Sequence, residues 1–269
     1  MKKKIRLIAM DLDGTLNNDE KAITRETKEM LMRAADDGVT LCLASARPAP
    51  GLYRECDELL MREKGGMLMS YNGGCIVDAA SGEVLYRASM PFNETKEVLT
   101  KLKELPVTVI LDDGVRFYVE DKNGYKVQYE ASNNRMELTE VNDLARDITF
   151  SPVKILMSVD PEIIDGIKAE IAAFLPEDLT VTQTAPFYLE VIPKTINKGA
   201  GLREICRILG IGIENTISFG DSENDIPMIL AAGTGVAMGN ASDEVKSKAD
   251  FVTLSNNEDG IAFALKKFM

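Results

Sequence analysis

The chain has no histidine and no tryptophan, and only four cysteines in 269 residues. Without histidine there can be no Ser-His-Asp triad, no Cys-His pair, no phosphohistidine chemistry and no His-ligated zinc. Acid–base work must fall to carboxylates, lysine, tyrosine or cysteine. Cys42, Cys56, Cys75 and Cys206 form no C-x-x-C pair and lie in apolar surroundings, so they read as reduced core residues of a cytosolic protein. No run of about 18 apolar residues occurs, so no membrane-spanning helix is expected. The start, MKKKIRLIAMDLDG, turns from basic to apolar, but the apolar stretch is short, is broken by Arg6 and runs into Asp11. It is read as part of the fold rather than a leader, and the protein is expected in the cytoplasm. There is no G-x4-G-K loop, internal repeat or low-complexity segment.

What is present is an acidic chain with ample core material. Hydrophobic residues make up 45% and charged residues 28%, with a net charge of −12. That length and apolar fraction suit one large domain or two modest ones. The negative surface repels nucleic acid and anionic lipid, so neither is an expected partner. Nothing indicates an obligate protein partner. An anionic substrate would have to be met by a metal ion or by locally placed Lys and Arg.

Short apolar runs alternate with helical patterns in the first third. Ile5–Met10, Val39–Leu43 and Met67–Tyr71 read as strands, the last followed by the turn Asn72-Gly73-Gly74. Thr24 can cap a helix with Thr27, Met30, Leu31, Ala34 and Ala35 inward and Gly38 as its stop. Leu52, Cys56, Leu59 and Leu60 mark a second helix. The middle changes character. Val107–Leu111 and Val115–Val119 flank the hairpin turn Asp112-Asp113-Gly114. Val153–Val159, a helix over Pro161–Leu175 and Phe187–Ile192 complete an antiparallel sheet with helices on one face. The last third returns to α/β alternation: a helix to Leu209 stopped by Gly210, the strand Thr216–Phe219, a helix over Asp225–Ala232, the strand Val236–Met238 and a closing helix from Asp259. The expected fold is an α/β, Rossmann-like parallel-sheet core, residues 1–84 and 190–269, with an α+β domain, residues 85–189, inserted.

Chemistry concentrates after the strands. Asp11-Leu12-Asp13-Gly14-Thr15 directly follows the first strand, where open α/β sheets bind ligands. Alternation along extended chain would point Asp11 and Asp13 the same way. Adjacent carboxylates call for a cation, and a hard oxygen-ligated ion such as Mg2+ suits them. Gly220-Asp221-Ser222-Glu223-Asn224-Asp225 follows Thr216–Phe219. Ser45-Ala46-Arg47 ends the second strand, and Lys198 opens a helix, where the dipole disfavours a cation unless an anion is near. Glu223 reads as a surface carboxylate. Asp225 serves either the loop or the first turn of the next helix.

This ordered set resembles the haloacid dehalogenase-like superfamily, in its Cof-type sugar-phosphate phosphatase branch with a type-two cap. The resemblance covers the whole chain: Asp11 to Thr15, Ser45, Lys198 and Gly220 to Asp225 match its four motifs, and Tyr71-Asn72-Gly73-Gly74 matches its Asn-Gly element. One departure is Ala46 where many members have glycine. The resemblance implies a Mg2+-dependent phosphatase acting on a small phosphorylated metabolite. It implies Asp11 as nucleophile and Asp13 as general acid and base. Asp11, the Asp13 backbone carbonyl and Asp221 would hold the metal. Ser45, Lys198, Asn224 and the backbone at Leu12 and Ala46 would hold phosphate. Thr15, Arg47, Asn72 and Asp225 would support these groups.

Two patterns are set aside. Cys56-x5-Arg62 has the spacing of cysteine phosphatases, but carboxylates and bulky apolar side chains fill it. Gly233-Thr234-Gly235 resembles a dinucleotide fingerprint but has Met238 where the third glycine belongs. Two other functions are alternatives, and the motifs alone do not separate the first from a phosphatase. A phosphosugar mutase would use the same motifs, and a receiver-like phosphoacceptor would not need a second domain.

Overall fold

The computed structural model describes residues 4–269; the basic start Met1–Lys3 lies outside the described residues. The chain divides into two compact units. One reaches Arg87 and resumes at Ile196–Met269; the other is Ala88–Thr195.

The strands in chain order are β1 (Leu7–Asp11), β2 (Thr40–Ala44), β3 (Met67–Ser70), β4 (Cys75–Asp78) and β5 (Val84–Arg87) in the first unit. The second unit holds β6 (Thr108–Asp112), β7 (Arg116–Val119), β8 (Glu137–Glu140), β9 (Ile155–Ser158), β10 (Leu179–Ala185) and β11 (Tyr188–Pro193). The chain then returns to the first unit with β12 (Thr216–Gly220), β13 (Thr234–Ala237) and β14 (Phe251–Val252).

The first sheet has the order β14-β13-β12-β1-β2-β3-β4-β5. Pairing is parallel from β14 to β3 and antiparallel at β3–β4 and β4–β5. Every residue of β1 is buried, as a strand covered on both faces requires. Leu7 and Ala9 face a cluster with Cys42, Met67, Met69, Leu202, Ile205 and Met228. Ile8 and Met10 alternate to the other face and are equally buried. All four cysteines are buried. The helix Arg25–Asp36 forms with Thr24 at its N-cap, but the Thr24 hydroxyl makes no cap bond and donates to Asp259 instead. The helix expected across Leu52–Leu60 is broken into short pieces: Leu60 is left-handed and 44% exposed, so it leaves the core face assigned to it.

The second sheet has the order β10-β11-β9-β6-β7-β8. It departs from the expected antiparallel sheet at β7–β8, which is parallel. Helices also cover both faces rather than one. Leu111, Ile155, Met157, Leu189 and Val191 pack against helices Phe92–Leu102 and Ile164–Phe174. Ile110, Leu156 and Tyr188 alternate away and pack with Val127 and Ala131 of the helix Val127–Asn134. The unit begins and ends later than 85–189. Val84–Arg87 is tied to β4, and β11 runs on to Pro193 against β10.

Candidate active site

Strands β13, β12, β1, β2 and β3 lie side by side and parallel, so their carboxyl ends form one edge, and each is followed by a loop that carries a polar group. Asp11 is the last residue of β1 and is 8% exposed. Lys198, the first residue of the helix Lys198–Leu209, is fully buried and places Nζ 2.5 Å from Asp11 Oδ1 and 2.6 Å from Asp225 Oδ1. Its anions are therefore supplied by the protein. Burial works against the ammonium, but the two carboxylates outweigh it and hold Lys198 charged well above its usual range. Burial, with Asp225 and Asp221 nearby, outweighs Lys198 and raises the Asp11 carboxyl to about 7.

Of the two purposes its sequence left open, Asp225 serves the loop: its side chain makes no cap bond to the following helix Ile226–Ala231. It is fully buried, pairs with Lys198, and accepts the backbone N–H groups of Asp221 and Ser222 at 3.0 Å through Oδ2. With the Ser222 side chain it forms a capping box at the start of the turn Glu223–Asp225. That box fixes the loop carrying Asp221. Asp221 accepts from the Thr15 hydroxyl at 2.7 Å and from the Ser222 hydroxyl at 3.0 Å. Burial and the Asp225 charge raise its carboxyl despite these bonds.

Gly14 explains how the two acidic loops come so close. It has φ +88°, and a Cβ there would lie 2.6 Å from Asp221 Oδ2. Only glycine fits both the conformation and the space.

Asp13 and Asp11 have different partners. The Asp13 carboxylate meets Arg47 at 2.5 Å and Lys21 at 2.8 Å. Burial pulls this carboxyl upward, but those two cations outweigh it and hold it below the ordinary range. The chain leaves extended geometry after Asp11: Leu16 N–H returns to the Asp11 carbonyl, and Asn17 N–H to that of Leu12. Alternation therefore stops at the strand's end. The acidic cluster is Asp11, Asp221 and Asp225, with one carboxylate oxygen from each lying within 4.8 Å of the others. Asp225 is already engaged by Lys198 and two N–H groups, which leaves Asp11 and Asp221 as the carboxylates placed for an ion. Their hard oxygen donors fit a hard cation.

Ser45 is buried just after β2, and its Oγ accepts the Arg47 N–H at 3.3 Å. Ala46 is half-buried beside it, and Leu12 is buried in the first loop. Asn224 is exposed, and its Nδ2 donates to Asn72 Oδ1 at 3.1 Å. Sequence reasoning missed Lys21 and Asn240. Lys21 reaches Asp13 from the hairpin after Asn17 and carried no signal of its own. Asn240 donates from Nδ2 to the Gly14 carbonyl at 2.8 Å. It stands just beyond β13, so the strand-end rule that located Asp11 and Asp221 could have located it.

A buried carboxylate fixed by lysine at the centre of a parallel sheet, with a second acidic loop beside it, defines a class of enzyme. The profile of the haloacid dehalogenase-like hydrolases matches residues 8–265, and the chain belongs to that family. Its curated relatives are phosphatases, and this protein is a phosphatase of the Cof-type branch. It is similar to the 5-amino-6-(5-phospho-D-ribitylamino)uracil phosphatase YitU of Bacillus subtilis, with 31% identity over 100% of this chain and 99% of the relative. A second B. subtilis phosphatase of that name, YcsE, is 32% identical over 98% of this chain and 96% of the relative. Among solved structures, a haloacid dehalogenase-like hydrolase from Bacteroides thetaiotaomicron superposes with a TM-score of 0.91 at 38% identity, covering 99% of this chain and 100% of the other. The subclass IIB sugar phosphatase BT4131 superposes with a TM-score of 0.79 at 28% identity, covering 98% of both chains. Among the described residues no helix is long and apolar enough to cross a membrane.

Proposed function

We propose that the chain hydrolyses a small phosphomonoester, a sugar phosphate or similar metabolite, through an aspartyl-phosphate on Asp11. The observation that carries this reading is the buried Asp11 carboxylate with one oxygen held by Lys198. Lys198 fixes Oδ1 and leaves the other oxygen to attack phosphorus. The Asp11 O–P bond forms as the ester P–O bond breaks, and Asp13 gives its proton to the departing alkoxide. Asp13 then takes a proton from water as that water attacks the acyl phosphate, which frees Asp11 and inorganic phosphate. Ser45, Asn224 and the backbone at Leu12 and Ala46 hold the phosphoryl oxygens. Asp11, Asp221 and the Asp13 carbonyl would hold Mg2+, which supplies positive charge for the transferring phosphoryl group.

Asp13 rests ionised on Arg47 and Lys21, the form suited to the second step. Its acid role requires it to leave those partners. The unit Ala88–Thr195 selects among substrates. The 5-amino-6-(5-phospho-D-ribitylamino)uracil named for YitU and the sugar phosphates named for BT4131 make small phosphorylated metabolites the first to test here.

The leaving group separates the two aspartates. Asp11→Asn stops the first step with every substrate. Asp13→Asn loses nearly all alkyl-phosphate activity, since general acid help is worth about 10²–10⁴-fold. With an aryl phosphate, which leaves unaided, it releases a burst of phenol and stalls with phosphate on Asp11. Rapid-mix phenol release and intact protein mass read this out. Equal slowing of aryl and alkyl substrates, with no burst and no added mass, would show Asp13 to be structural.

A further inference from the structure

Three consecutive residues after β3 are left-handed: Tyr71 (φ 51°), Asn72 (φ 54°) and Gly73 (φ 96°). Such conformations cost non-glycine residues free energy and persist where surroundings enforce them. Here the enforcement comes from two catalytic loops. Tyr71 N–H donates to the Arg47 carbonyl at 3.1 Å and Asn72 N–H to the Ser45 carbonyl at 2.9 Å. On the other side Gly73 presses on the residue before Lys198, where a Cβ would lie 2.6 Å from the Asn197 carbonyl oxygen. The segment is thus locked to the Ser45 loop and to the start of the lysine helix.

Backbone geometry alone would be met as well by glycine at position 72. The asparagine side chain is explained by what it touches. Asn72 Oδ1 accepts from Asn224 Nδ2 at 3.1 Å, across 152 positions of chain. Asn224 stands exposed on the loop beyond β12, where a carboxamide could present either its oxygen or its nitrogen. Only the nitrogen end suits an anion, and Nδ2 carries two N–H groups. One is given to Asn72, which leaves the second for another acceptor.

We infer that Asn72 is a positioning residue that orients the Asn224 carboxamide so that an N–H, and not the carbonyl, meets the substrate's phosphate. This rests on the reading of Asn224 as a phosphate-holding residue. The contact links the loops after β3 and β12, so the Ser45 and Asp221 loops hold their phosphate donors in one register.

The test is inorganic phosphate binding, measured by titration calorimetry in magnesium buffer. Asn72→Gly keeps the left-handed backbone and removes only the side chain. It should weaken phosphate about three- to tenfold, the worth of one hydrogen bond. Asn224→Ala should weaken it similarly, and the double variant should bind no worse than Asn224→Ala, since residues acting through one contact are not additive. Equal losses from Asn72→Gly in the presence and absence of Asn224, or none in its presence, overturn the inference. An Asn224→Ala variant that binds phosphate as tightly as the parent refutes instead the phosphate role of Asn224. Asn72→Asp guards against misfolding, because aspartate tolerates the left-handed region and keeps the acceptor. In about 1 M salt, where the Debye length is about 3 Å, it should bind phosphate within about twofold of the parent. Binding there as weak as in Asn224→Ala overturns the inference.

Discussion

Lys198 is held by two carboxylates, and replacing each by its amide should have opposite effects on stability. Asp225 is fully buried, with Oδ1 on Lys198 Nζ and Oδ2 on the N–H groups of Asp221 and Ser222. Every partner is a donor. An asparagine there must turn its NH2 either on the ammonium or on the two N–H groups, so one side always meets donor with donor. Breaking a buried pair of this kind costs about 3–5 kcal/mol. For a chain of this size that lowers Tm by roughly 10 °C. Asp11→Asn differs, because the amide oxygen can still accept from Lys198, whose charge Asp225 continues to balance. Removing this carboxylate also relieves an unfavourable ionisation. Raising a carboxyl from 3.8 to about 7 corresponds to on the order of 4 kcal/mol at neutral pH.

The sign of the pH dependence follows. Between the unfolded value, 3.8, and the folded value, about 7, the native state keeps a proton that the unfolded chain has released, so stability falls as pH rises through that window. The two proteins should melt together near the unfolded value. Asp11→Asn should gain on the parent up to about pH 7 and hold a constant lead above it. The assay is thermal unfolding in chelator across that range, with phosphate release as the companion measurement. Both variants should lose activity, but only Asp225→Asn should lose stability. Equal melting of Asp225→Asn and the parent, or an Asp11→Asn variant less stable than the parent at pH 7, would falsify this account of the charge balance.

Three further outcomes are expected. Chelation should abolish phosphate release and Mg2+ restore it, so full turnover in excess chelator excludes the metal role given to Asp11 and Asp221. Gly14→Ala should displace Asp221 and weaken Mg2+ binding by at least tenfold, roughly one lost charge-assisted contact; calorimetry showing parental affinity would mean that the loop absorbs a Cβ freely. Replacing Ala88–Thr195 by a short linker should leave aryl-phosphate cleavage but flatten the ranking among phosphorylated metabolites; an unchanged ranking would place specificity in the first unit.

The sequence by itself determined the α/β core, because a buried parallel strand such as Leu7–Asp11 is a continuous apolar run that ends at a loop. It also pointed to such loops as the site of chemistry, since each apolar run is followed at once by Asp, Ser or Gly. It was less informative where pairing partners matter more than composition. Val84–Arg87 is half exposed and Glu137–Glu140 carries charge at both ends, so neither reads as a strand until β4 and β7 lie beside them. Helices on both faces of the second sheet were equally hidden, because alternation shows which residues are buried but not what covers them. At the site, only the tertiary structure decided that Asp13 turns to Arg47 and Lys21, that Asp225 completes the acidic cluster, and that Asn240 holds the Gly14 carbonyl. These partners are separated by as many as 226 positions along the chain. Local periodicity carries no record of such distances; they are set when the strand ends are brought onto one edge.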